Sequence, residues 1–183
     1  MNWENVETER LLLKGIDESD THFVFMHFKD EYVCRYLYDA EPFTSIDEAK
    51  QLISVFGNKE NEEINRWIIM DKATKTRMGT CGYMFWDKFN NSIEIGYDLQ
   101  EEFCGKGIMI EALRAVIDKA FTEKGINRIQ AITYIENEKS CKLLERLGFL
   151  REGIIREKHY FRGNYYDHYC CSLLKNEWNS GIA

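Results

Sequence analysis

Tyr97-Asp98-Leu99-Gln100-Glu101-Glu102-Phe103-Cys104-Gly105-Lys106-Gly107-Ile108 runs from the end of an alternating strand, through a glycine-containing loop, into the start of a helix. A helix start carries unpaired N–H groups and the positive end of the helix dipole, so it attracts phosphate. Gly105 and Gly107 let the backbone close around a diphosphate without a Cβ in the way. Lys106 adds a charge or simply faces solvent. A G-x-G before a helix is a weak signal alone, since a tight strand-to-helix turn also explains it. Two stronger motifs are excluded. A P-loop needs glycine at Gln100 and Ser or Thr at Gly107, and a Rossmann fingerprint needs glycine at Ile110.

Outward from this stretch the periodicity changes in a fixed order. Ser92–Leu99 alternates Ile93, Ile95 and Tyr97 against Glu94, Gly96 and Asp98, as a strand between unlike environments does. Before it lie predicted strands at Thr8–Lys14, Arg66–Asp71 and Gly79–Trp86. Residues 18–57 read as helical, with Phe23 and Met26, then Ala49, Leu52, Ile53 and Phe56 at helical spacing, and Ser45 with Glu48 as a capping box. After it come a helix over 107–124 stopped by Gly125, a strand Arg128–Tyr134, and a helix from Asn137 to Leu147 closed by Gly148. Strands Leu150–Arg156 and Tyr165–Leu174 flank a turn at Arg162-Gly163-Asn164. This order predicts an α/β (α+β) fold, with one mostly antiparallel sheet of about seven strands and helices on both faces. No linker or repeat interrupts residues 1–183, which read as one domain.

The chain has 24 Lys and Arg against 31 Asp and Glu, a net charge of −7. That argues against a general nucleic-acid binder, which needs a basic surface to displace counterions, and suits a cationic acceptor such as an amine. Met1-Asn2-Trp3-Glu4 has no secretory pattern and no apolar run is long enough to span a bilayer, so a cytoplasmic protein without membrane contact is expected. The six cysteines form no C-x-x-C pair, and His22 and His27 stand five apart, poor spacing for one metal. No metal site is expected.

Taken in order, Thr8-Glu9-Arg10-Leu11, Glu94-Ile95-Gly96-Tyr97, Gly105-Lys106-Gly107 with Glu111-Ala112-Leu113, Asn137-x-x-Ser140, Leu147-Gly148-Phe149, Gly153-x-x-Arg156, Gly163 and Asp167 resemble the GNAT superfamily of N-acetyltransferases, in its ribosomal-protein RimJ/RimL-type branch. The resemblance implies acetyl-coenzyme A as co-substrate. It also implies that the strands at 92–99 and 128–134 splay to admit pantetheine, which pairs with the backbone around Leu99. The Tyr97 N–H would donate to the thioester carbonyl. The implied cofactor-binding set is Tyr97, Leu99, Phe103, Cys104, Gly105, Lys106, Gly107, Ile108 and Asn137, the last also an N-cap. The chain departs from the family pattern at Glu102 and Cys104 in the loop. It carries Leu144 where other branches have an acidic tyrosine, and Ile132 where related enzymes place glutamate.

Direct transfer needs a deprotonated amine, because a lysine amine has a pKa of about 10.4 and an α-amine about 8. By the same resemblance, in which RimL-type enzymes carry serine at this position, Ser140 is the candidate for protonating the coenzyme A thiolate. Glu94, beside the expected cleft, and His159, near the hairpin, are the candidate bases, although each has a plain structural reading as well. No Cys/His/Asp spacing supports a covalent route through Cys104. By the same resemblance the helical segment 18–57 covers the acceptor side, with Tyr32, Tyr36, Tyr38 and Phe43 as candidates to line the cleft and Asp30, Glu31, Asp39 and Glu41 as candidates to attract a cation. Three functions follow: acetylation of a protein N-terminal α-amine, acetylation of a small amine such as a polyamine, amino sugar or antibiotic, or non-catalytic acyl-coenzyme A binding. The sequence leaves a homodimer open.

Overall fold

Two apolar cores lie on opposite faces of a single sheet. The computed structural model describes residues 5–37, 41–58 and 60–179. In chain order they form β1 (Val6–Glu7), β2 (Leu11–Gly15), α1 (Thr21–Phe28), α2 (Glu31–Cys34), α3 (Ile46–Phe56), β3 (Asn65–Asp71), β4 (Arg77–Asp87) and β5 (Ser92–Leu99). Then come α4 (Ile108–Glu123), β6 (Arg128–Tyr134), α5 (Glu138–Arg146), β7 (Leu150–Phe161), β8 (Asn164–Leu174) and α6 (Lys175–Asn179). The sheet order is β1-β2-β3-β4-β5-β6-β8-β7. Every neighbouring pair is antiparallel except β5 and β6, which are parallel.

The side-chain period of two explains the layers. Trp67 and Ile69 of β3 enter the core beneath α4 and α5, whereas Ile68 and Met70 enter the core beneath α1 and α3. The predicted apolar stripe of α4 (Met109, Leu113, Val116, Ile117, Ala120, Phe121) is buried throughout. Leu113 is fully enclosed, so its truncation to alanine would cost about 2–5 kcal/mol.

The sequence reading needs four corrections. The described residues hold eight strands, because β1 precedes β2 through a turn in which the Leu11 N–H donates to Thr8 Oγ1 (2.9 Å). Residues 18–57 are not continuously helical. Asp30 restarts the chain by capping α2, accepting from the Tyr32 N–H (2.7 Å), and the Phe43 N–H bonds to the Phe28 carbonyl (2.8 Å). β7 runs past Arg156 to Phe161, since its alternation is broken by a bulge between Ile155 and His159, with Glu157 at φ 51° and its N–H held by Asp167 Oδ1 (2.7 Å). Finally, α6 follows β8, where Glu177 accepts from the Leu174 N–H (2.7 Å). Tyr38 and Asp39 lie outside the described residues.

Candidate active site

β5 and β6 pair only at Ser92–Arg128, Ile93–Ile129 and Glu94–Gln130, and then part. The Gln100 N–H donates to the Met78 carbonyl (3.0 Å), which fixes the alternation of the β4–β5 ladder. Residues 96, 98 and 100 turn their peptide groups to β4. Tyr97 and Leu99 therefore turn theirs away from β4, toward the gap that β6 has left.

The chain then makes a short turn at Glu101–Phe103 and passes through Gly105 and Gly107, both at φ 75°. This left-handed conformation is one that glycine adopts without Cβ strain. Gly107 is the N-cap of α4 and no side chain caps that helix, so its first N–H groups face the cleft uncovered. The loop is held from behind by the Thr8–Leu11 motif. Glu111 in the first turn of α4 accepts from Thr8 Oγ1 (2.5 Å), the Arg10 N–H (2.9 Å) and Arg10 Nε (2.6 Å), while Arg10 also donates to the Lys106 carbonyl (3.2 Å). These bonds, Thr8's first, keep the Glu111 carboxyl below its ordinary range despite partial burial, which pushes the other way.

A cavity of about 950 Å³ opens here, between the end of β5, the start of α4, α2 and α5. Tyr97, Leu99, Phe103, Cys104, Gly105, Gly107, Ile108, Asn137 and Ser140, all named from the sequence as candidates, line it. Lys106 does not: its Nζ lies 5.7 Å from the centre of the Phe103 ring, on the exposed side. Glu101, Glu136 and Glu138 line the wall together with Lys139, Lys142 and Arg146, the three cations spaced along one face of α5 and Lys142 paired with Glu138 (3.1 Å). That row had a legible signal in its three- and four-residue spacing.

Asn137 caps α5, its side chain accepting from the Ser140 N–H (3.2 Å). Ser140, 8% exposed, has its Oγ 2.7 Å from the Tyr97 hydroxyl. Across the mouth, the Tyr32 hydroxyl lies 3.4 Å from Cys104 Sγ and accepts from Lys139 Nζ (2.8 Å).

The two candidate bases stand elsewhere. Glu94 and Gln130 face the α1 side of the sheet, where Gln130 Nε2 donates to the Glu94 carboxylate (3.2 Å). Burial raises the Glu94 carboxyl above its usual range, partly offset by that bond, but Glu94 does not line the cavity. His159 is no surface residue: it is 7% exposed, with Nδ1 2.5 Å from the Tyr134 hydroxyl, because the bulge in β7 turns it inward. It lies among Tyr134, Phe161 and His168, outside the cavity wall. Tyr36 lines the cavity and tilts against Tyr134 at 5.8 Å, joining the two regions. Phe43 instead packs on Phe28 (5.4 Å), and Glu41 is paired with Arg162 (2.5 Å).

A buried cluster that the sequence reading missed fixes β5 alongside the gap. Asp98 binds His27 Nε2 (2.5 Å), the Arg66 guanidinium and both the N–H and hydroxyl of Thr80 (3.0 and 2.9 Å). Burial would raise the Asp98 pKa, yet Arg66 and His27 prevail and bring it down to about 2. Its partners come from three distant elements, so no local spacing betrays them.

Comparison with known proteins agrees with this geometry. Residues 10–150 match the acetyltransferase (GNAT) domain family. The chain is 37% identical over 176 residues to the uncharacterized N-acetyltransferase p20 of Bacillus licheniformis, covering 96% of this chain and 98% of that protein. It superposes on the ribosomal-protein-S5-alanine acetyltransferase of Vibrio fischeri with a TM-score of 0.83 at 26% identity, covering 95% and 98% of the two chains. The spermidine N-acetyltransferase of Vibrio cholerae, solved with CoA and spermine, shares the fold with a TM-score of 0.83 at 23% identity, covering 94% and 99%. A parted parallel strand pair, a glycine loop at an uncapped helix start and a family match over most of the sequence lead to one conclusion: this chain belongs to the GNAT acetyltransferases and is an N-acetyltransferase.

Proposed function

We propose that residues 1–183 act as one cytoplasmic catalytic domain that transfers the acetyl group of acetyl-coenzyme A directly to a protein N-terminal α-amine. The observation that carries this reading is the parting of β5 from β6 after Glu94, with the peptide groups of Tyr97 and Leu99 turned into the gap. The α4 start and the Lys139, Lys142 and Arg146 row suit the diphosphate end of the same ligand. Acetyl-coenzyme A supplies an activated thioester. The Tyr97 N–H is aimed where negative charge develops on the thioester carbonyl oxygen, and Ser140 donates to the leaving sulfur. Neither candidate base lines the cavity, so Glu94, held by Gln130, or His159, held by Tyr134, would take the amine proton through an intervening water.

The acceptor choice rests on the wall facing α2. Arg35 lines it, and Glu41 is already paired with Arg162, which disfavours a polycation on that side, while Glu101, Glu136 and Glu138 elsewhere in the lining favour a cationic acceptor. The similarity to an S5-alanine acetyltransferase supports the same choice. The net charge of −7 and the likeness to a spermidine enzyme favour a second reading, acetylation of a small amine. Coenzyme A release measured against short peptides with free N-termini and against spermidine separates the two. Turnover on spermidine with none on any peptide would replace the first reading by the second.

A further inference from the structure

The Tyr97 side chain was not part of the expected chemistry, which concerned only its N–H. Yet its hydroxyl crosses the cavity wall from β5 to the first turn of α5 and lies 2.7 Å from Ser140 Oγ. A phenol has one hydrogen to donate, and burial pushes the Tyr97 pKa well up, so that hydrogen is retained at any working pH. Its hydrogen-bond partner among the described residues is Ser140.

We infer that Tyr97 is a positioning residue, whose O–H donates to Ser140 Oγ and so directs the serine's own hydrogen into the cavity toward the leaving sulfur. Ser140 sits in the first turn of α5, so no helical turn precedes it and its hydroxyl is oriented by its neighbours. Donation from Tyr97 occupies one lone pair of Oγ and biases the rotor toward the cavity. Asn137 fixes the same turn from the other side by accepting from the Ser140 N–H (3.2 Å). The serine cannot adjust freely, because it is 8% exposed.

No proton leaves the Tyr97–Ser140 pair. In the overall transfer a C–N bond forms as C–S breaks, and the hydrogen lost by the amine nitrogen ends on sulfur. The pair only stabilises charge on sulfur by hydrogen bonding while that exchange occurs. A neutral phenol with a raised pKa suits this task, since it keeps its donor.

This inference rests on assigning Ser140 to the leaving sulfur, and the test separates the two claims. Tyr97→Phe keeps the ring packed and removes one oxygen. The expected result is a fall in kcat of roughly 3- to 10-fold, the range for a lost bond between neutral groups, with KM for acetyl-coenzyme A and Kd for coenzyme A unchanged. Ser140→Ala should fall at least as far, and the double variant no further than Ser140→Ala alone. A slow Ser140→Ala beside a Tyr97→Phe of parental kcat would overturn the inference and leave Ser140 in place. Full activity in Ser140→Ala would remove both. A Tyr97→Phe that loses coenzyme A affinity in proportion to kcat would make the hydroxyl part of the binding wall, and would also overturn the inference.

Discussion

Replacing Gly105 by glutamate tests the phosphate end of the site with a magnitude that the geometry supplies. Gly105 sits at φ 75°, and a Cβ built there meets nothing within 4 Å. Alanine therefore adds only left-handed strain, about 1–2 kcal/mol, which appears as a loss of roughly 3–6 °C in Tm for a chain of this size. That strain exists with and without ligand, so it largely cancels from the affinity. Glutamate adds the same strain and also a negative charge. A carboxylate roughly 5 Å from a phosphate, at an effective dielectric of about 20, repels it by roughly 3 kcal/mol, or about 100-fold in Kd. Calorimetry with coenzyme A at 0.1 M salt should show Gly105→Glu about 100-fold weaker and Gly105→Ala less than tenfold weaker. At 1 M salt, where screening acts over about 3 Å, the gap between the two should narrow. A glutamate variant within threefold of the parent, or an alanine variant as weak as the glutamate, would refute a diphosphate bound beside this loop.

Other perturbations address the parts that hold the site. Asp98→Asn leaves Arg66 buried against a neutral partner and should cost about 3–5 kcal/mol, lowering Tm by roughly 10 °C; a melt within 2 °C of the parent would contradict the cluster's role. Because the Asp98 pKa falls to about 2 on folding, its stabilisation is complete above about pH 4 and is lost as pH drops toward 2; Asp98→Asn should lose less stability than the parent between pH 4 and pH 2, and an equal loss would contradict this. Burial raises the Glu94 pKa, so ionised Glu94 opposes folding at neutral pH; Glu94→Gln should raise Tm at pH 7, with the gain vanishing below pH 4, and a lower Tm at pH 7 would contradict this. His159→Gln should cut kcat/KM by roughly 10²-fold or more; a variant within threefold of the parent would pass the base role to another group.

What could be read from sequence was whatever depends on neighbours along the chain. The alternation at 92–99 located β5 to the residue, the Ser45–Glu48 pair marked the start of α3, and Asn137 marked the cap of α5. Local patterns failed where tertiary contacts overrode them. The bulge after Ile155 hid the second half of β7 and with it the inward turn of His159. The Thr8–Arg10 motif was visible as a pattern, but its partner, Glu111, lies about a hundred residues on. The Tyr97–Ser140 contact likewise joins a strand to a helix that the sequence leaves unrelated.

A crystal structure with coenzyme A bound tests the central claim most directly. The diphosphate should lie within hydrogen-bonding distance of the N–H groups at the start of α4, with pantetheine alongside Tyr97 and Leu99 where β6 has departed. A ligand lodged outside that gap, or β5 and β6 zipped together beyond Glu94 and Gln130, would contradict the account.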